Sequence, residues 1–340
     1  MRWIAAILMI CYVGTASAQG LVKTCLDDES AGEALELAVD AIGDIHLSRI
    51  LSSSRELVYT HVDPAGQVTN EIIVGPVSPF VGSRLIQTDI ETDGTTPYIC
   101  FRDKLLNRVR LAFKSGASWR LETIQSSITG DGCSLSITDG AVTVAYEASG
   151  KLNVATRTGA DNWQRQTVDS VSGQRVGVTP DMKVASNGNR VIVHRNRTQN
   201  VLRITEWNQG AWRTVQADHG FLNGGLEPRF MFTSASTIEV FHGIESSSLG
   251  TESDVALLRT VGTLGGAYST SQVSGTSLGG SVDAMIGAEG EVVVTRQLIR
   301  SALFGSFDSL LLLQGPTLAE TRLENYGPAD GRHVFQFIRV

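Results

Sequence analysis

The chain has 340 residues, 42% hydrophobic and 19% charged, with 35 glycines against 8 prolines and a formal net charge of −7. That acidity disfavours sequence-independent nucleic-acid binding, which needs Lys and Arg to neutralise phosphates, and disfavours docking on anionic lipid. No Gly/Ser/Pro-rich linker or charge run divides the chain, so one large β domain is expected rather than two.

The N-terminus reads as a secretory signal: Arg2, an apolar stretch at 3–13, then the small-x-small site Ala16-Ser17-Ala18. Cleavage after Ala18 would leave a mature chain starting at Gln19, secreted to the periplasm or the extracellular space. It would carry 27 basic and 35 acidic side chains, a net charge of −8. The apolar run falls short of the roughly 20 residues a membrane span needs, and no later stretch is longer, so no transmembrane segment is expected.

From there the apolar positions alternate by twos in short runs rich in β-formers, joined by Gly, Asn, Asp or Ser. Only 29–40 would pass for a helix. A four-part phrase recurs, clearest as 135–140, 141–146, 151–157 and 163–168. Four antiparallel strands in a row make one propeller blade, and six copies fill the chain, at about 33–78, 82–128, 133–172, 180–220, 226–276 and 280–326. The expected fold is therefore all-β, a single domain over 19–340 built as a six-bladed β-propeller. Six blades are favoured over seven, and strand 333–340 would close the ring and hide an exposed edge.

In three copies the turn before the fourth strand ends in Trp: Ser115-Gly116-Ala117-Ser118-Trp119, Thr158-Gly159-Ala160-Asp161-Asn162-Trp163 and Asn208-Gln209-Gly210-Ala211-Trp212. These turns resemble the Asp-boxes of sialidase-like propellers. They depart from the fixed Ser, Asp, Gly and Trp spacing, and only Asp161 offers a carboxylate, at the wrong place. The resemblance implies the fold and does not carry the reaction. Of the three cysteines that survive cleavage, Cys100 and Cys133 would lie on inner strands of adjacent blades and could pair, with Cys25 left over; equally, all three could be buried thiols.

Function in a propeller sits on one face, where the loops after second strands meet those linking blades. Here that selects the rim of blades four to six: His194 and Arg195, His219, His242, then Arg296 with Phe304 and Phe307. The histidine spacings match no metal motif, so no metal and no cofactor is expected. Arg49, Arg102, Arg195 and Arg296 end second strands, either as a carboxylate-gripping cluster over the channel or as solvated rim charges. The sequon at Asn196 has meaning only in a eukaryotic secretory pathway.

Two functions follow. The first is a monomeric, non-catalytic binding or scaffold module for a glycan or protein, with no buried, paired titratable groups in its channel. The second is a glycoside hydrolase or lyase acting on an acidic sugar through channel-facing arginines and a carboxylate or Tyr146. It requires two arginines and a carboxylate within about 6 Å.

Overall fold

The computed structural model describes residues 32–51, 54–78, 88–127, 130, 132–208, 210–217, 224–244 and 256–274, with backbone alone at 32–35 and for six further strands. Two of those, β1 (Leu8–Ile10) and β2 (Val22–Thr24), pair with each other. The closing strand expected at 333–340 lies outside the described residues.

Five four-stranded antiparallel sheets are described with their side chains. The first comprises β3 (Gly32–Val39), β4 (Ile45–Leu51), β5 (Leu57–Val62) and β6 (Val68–Val74). The second comprises β7 (Thr88–Asp93), β8 (Thr96–Asp103), β9 (Arg108–Ser115) and β10 (Ser118–Ser126). The third comprises β11 (Cys133–Thr138), β12 (Ala141–Ala148), β13 (Lys151–Gly159) and β14 (Asn162–Asp169). The fourth comprises β15 (Val178–Val184), β16 (Arg190–Asn196), β17 (Val201–Asn208) and β18 (Ala211–Gln216). The fifth comprises β19 (Leu226–Phe232), β20 (Thr237–Gly243), β21 (Leu257–Thr263) and β22 (Tyr268–Ser274). A sixth four-strand sheet, β23 (Val282–Ile286), β24 (Val292–Ile299), β25 (Asp308–Gln314) and β26 (Ala319–Asn325), is described by its backbone.

Each sheet is a meander, and its first strand lies against the first strand of the next: β3 on β7, β7 on β11, β11 on β15, β15 on β19 and β19 on β23. The segment with helical spacing, 29–40, instead yields β3, because pairing with β4 satisfies its backbone and buries its alternate side chains.

Sheets stacked face to face bury both sides of their middle strands, so the core is a series of layers. Ile50, Leu57, Ile99 and Phe101 fill the space between the first two sheets. Leu111, Ile124, Val144 and Trp163 fill the next, and Val191, Ile204, Phe230 and Val240 lie between the fourth and fifth. Each such side chain contributes about 1.5–3 kcal/mol by leaving water.

Two of the three Trp-ended hairpins staple neighbouring sheets through the indole N–H, while Trp163 packs into the apolar layer. Trp119 donates its Nε1–H to Glu71 of β6 at 2.9 Å, and Trp212 donates to Gln166 of β14 at 3.2 Å. In the fifth sheet Tyr268 takes the same place and bonds Glu206.

Cys100 of β8 is disulfide-bonded to Cys133 of β11, joining the second and third sheets, with Cα atoms 6.3 Å apart. Closing a loop of 33 residues restrains the unfolded chain. The double variant Cys100→Ala, Cys133→Ala should therefore lose about 3–4 kcal/mol of stability in urea denaturation. An unshifted midpoint would count against the bond.

Candidate functional site

Of the predicted rim residues, His194, Arg195 and His242 are buried within the sheets. His194 and His242 are fully buried and make the same contacts one sheet apart. His194 Nδ1 accepts the Gly177 N–H at 3.1 Å, and Nε2 lies 3.0 Å from Thr205 Oγ1, itself 2.9 Å from Thr214 Oγ1. His242 repeats this with Gly225, Thr260 and Thr270, at 2.9, 3.0 and 2.8 Å. Both glycines have positive φ and sit against the third strand of the preceding sheet: a Cβ would come within 2.7 Å of Leu152 Cα or 2.8 Å of Leu202 N. Both imidazoles are thus spent on closing their own sheets. Burial holds them neutral, at about 4 for His194 and about 3 for His242.

Three of the second-strand arginines are not solvated. Arg49, Arg102 and Arg195 are all buried. Arg102 donates to the carbonyls of Gly130, Asp103 and Arg108 and to Asn107 Oδ1; Arg195 donates to Asn200 Oδ1 at 2.5 Å. In both, the partner is an Asn five residues on, in a left-handed turn conformation. Asn196 is also fully buried, with its Nδ2 bonded to Gln174, so the folded chain hides its sequon. Tyr146 is buried at the junction of the second and third sheets. His219, Phe304 and Phe307 lie outside the described residues. Arg296 is placed by backbone alone, opposite Leu311.

The channel holds titratable groups that were not singled out from the sequence. Glu36, Asp89, Ser134, Asp181 and Arg229 occupy the same register on the five inner strands, opposite Ser48, Cys100, Ala145, Val193 and Phe241. A β-bulge precedes Glu36, Asp181 and Arg229 and re-aims each side chain. Asp89 Oδ2 accepts Ser134 Oγ at 2.8 Å and the Leu135 N–H at 2.7 Å. Ser134 Oγ accepts the Met182 N–H at 2.9 Å, and Asp181 Oδ2 accepts the Phe230 N–H at 2.9 Å. Arg229 pairs with Glu36 of the first sheet at 2.8 Å. Enclosure by protein pushes Asp89 up, to about 6; its two hydrogen bonds and the Arg229 charge act against the rise, and the Asp181 charge adds to it.

Paired titratable groups therefore do line the channel, with the Arg229–Glu36 pair half-buried rather than buried. The described residues there supply one arginine rather than the two the enzyme reading required. Pro180-Asp181 and Pro228-Arg229, 48 residues apart, were the available signal, since proline inside a strand marks a bulge. Among the described residues no group of three or more His, Cys, Asp or Glu is placed to hold a metal ion.

No protein-family model and no curated protein matches the sequence. Among solved structures the chain is similar to the hydrazine synthase of Kuenenia stuttgartiensis, at 13% identity and a TM-score of 0.56 over 88% of this chain and 80% of that one. It is similar to an α-L-arabinanase of Penicillium chrysogenum complexed with arabinobiose, at 12% and 0.54 over 78% and 88%. It is also similar to the polysaccharide lyase Uly1, at 9% and 0.53 over 98% and 90%. At such identities the likeness shows the fold, a β-propeller, as the resemblance to sialidase-like propellers implied.

The buried groups fix a pH dependence. Unfolding exposes His194 and His242 to protonation below about 6.5, costing about 1.4 kcal/mol of stability per pH unit for each. Asp89 opposes them: between 3.8 and about 6 the folded state holds a proton that the unfolded state releases, so its share of stability is lost as pH rises. Urea denaturation from about pH 4.5 to 6 should show stability climbing with pH, and more steeply in Asp89→Asn. Equal slopes would mean that Asp89 titrates normally.

Proposed function

We propose that the chain is an exported, monomeric propeller of six blades, one domain over 19–340 closed by strand 333–340. It holds a glycan or protein ligand without transforming it, at the rim of the fourth to sixth sheets. The observation that carries this reading is the commitment of the channel side chains: Asp89, Ser134 and Asp181 each accept a backbone N–H from the next sheet. A carboxylate bonded into the wall is a poor nucleophile or general base, because the reaction would have to break that bond. The arabinanase and the polysaccharide lyase put a saccharide first among ligands to test, by analogy of fold alone.

A second reading, a carbohydrate-active enzyme on an acidic sugar, draws on Asp89. Its raised value suits an acid/base group, and it keeps partial exposure at the channel wall beside Asp181 and Arg229. Mature protein incubated with a glycan panel, acidic sugars included, separates the two. Retention of a glycan with no new product by mass spectrometry, weakened several-fold by Arg296→Ala or Phe304→Ala, is the expected result. New products that disappear in Asp89→Asn would replace binding with catalysis.

A further inference from the structure

From the equivalent position of each second strand a short diagonal row of side chains crosses the sheet, stepping two residues past the direct partner on the third strand, and the third sheet departs from the pattern. In the first, fourth and fifth sheets the row is closed by its own hydrogen bonds: Arg49 and Thr60 both donate to Asn70 Oδ1, His194 bonds Thr205 and Thr205 bonds Thr214, and His242 bonds Thr260 and Thr260 bonds Thr270. In the second it is apolar: Phe101, Ala112 and Leu121. In the third it reads Tyr146, Ala155 and Arg165. A small residue replaces the bridging threonine, and a guanidinium stands on the outer strand.

Beside that row is a solvent-open cleft of about 290 Å³ between the second and third sheets. Gln125 lines one side, and Tyr146, Lys151, Asn153, Arg165 and Thr167 line the other. Two cations, amides, hydroxyls and a phenol face it, and among the described residues no carboxylate does. Such a set is selective in a chain of net charge −7.

The groups are held in place. Arg165 Nε–H donates to the Ile124 carbonyl at 2.6 Å, which fixes the guanidinium plane while spending one of its five donors. Thr167 Oγ1 donates to Asn153 Oδ1 at 2.8 Å, and Asn153 Nδ2 donates to the Lys151 carbonyl at 3.0 Å. Burial pushes the Tyr146 phenol up to about 12, so it keeps its proton and can donate. Lys151 stands exposed beside the hairpin between β12 and β13.

We propose that this cleft is a second binding site, separate from the rim, for one anionic sugar unit held by its carboxylate or sulfate. Arg165 and Lys151 bind the anion, and the Tyr146, Gln125 and Thr167 groups meet the ring hydroxyls. The volume lies at the low end of the roughly 300–1,000 Å³ typical of small-molecule pockets, which suits a single ring. The saccharide part rests on the reading of the chain as a glycan-binding propeller; the anion part rests on the cleft.

Titration of mature protein with methyl glucuronide, glucose 6-sulfate and neutral methyl glucoside, followed by calorimetry, tests it. One or both anionic sugars should bind, about tenfold or more tighter than the neutral one, and added salt should weaken them. Arg165→Ala and Lys151→Ala should each lower that affinity about tenfold, and Arg296→Ala should leave it unchanged. Lys151 is exposed, so its variant keeps the test valid if Arg165→Ala misfolds. Preference for the glucuronide or the sulfate identifies the anion, and either supports the site. No anionic binding, or binding indifferent to both cleft variants, overturns it. Binding lost in Arg296→Ala alone overturns the cleft and keeps the rim; binding lost only in the cleft variants, with no rim-dependent glycan, does the reverse.

Discussion

Three inner strands, β7, β11 and β15, are each tied to the next sheet through one recurring hydrogen bond. A channel side chain accepts the backbone N–H of the residue just past the equivalent position on the following strand: Leu135 to Asp89, Met182 to Ser134, Phe230 to Asp181. An inner strand has a ladder partner on one side only, and its outward N–H groups would otherwise be left wanting near the axis. The bond answers that need and sets the register between sheets. Arg229 interrupts the series, because a guanidinium has no acceptor, and it reaches the first sheet at Glu36 instead. The axis is thus polar by necessity, and its charges serve architecture before chemistry.

The same constraint explains the buried histidines. A second strand packed on both faces can carry a polar side chain only if every polar atom finds a partner inside the sheet. His194 and His242 meet this with a glycine N–H on one nitrogen and a threonine pair on the other. The glycine is obligatory twice over, for its positive φ and because the neighbouring strand leaves no room for a Cβ. Arg102 meets it with turn carbonyls and an asparagine side chain.

The sheets and their four-strand phrasing were legible because alternation and turn residues are local signals, and the Trp-ended hairpins gave the repeat its length. Legible too, once its meaning is known, was the Arg-x4-Asn spacing of Arg102 with Asn107 and Arg195 with Asn200. The channel residues were hidden because one polar residue per inner strand looks like any solvent-facing position; only the prolines before Asp181 and Arg229 hinted at bulges. At His194, Arg195 and His242, rim position did not mean exposure. A residue at a strand end has two fates, solvent or a turn that folds back over it, and side-chain type does not decide between them. The Cys100–Cys133 bond depended on how adjacent sheets stack, which alternation within one strand does not encode.

Because the middle strands are buried on both faces, a binding group there would have to displace core, at about 1.5–3 kcal/mol for each large apolar side chain lost. Three places escape that cost: the loop rim, the channel and the seams between sheets. The channel is largely spent on its own hydrogen bonds. A seam becomes available only where the repeating row stops closing on itself, and the third sheet is where that happens: with alanine in place of the bridging threonine, Tyr146 and Arg165 no longer share an intermediary. One small residue at position 155 thereby leaves unlinked two polar groups of the kind that the rows of the first, fourth and fifth sheets tie together, and turns a structural position into a recognition surface without altering the backbone that presents it.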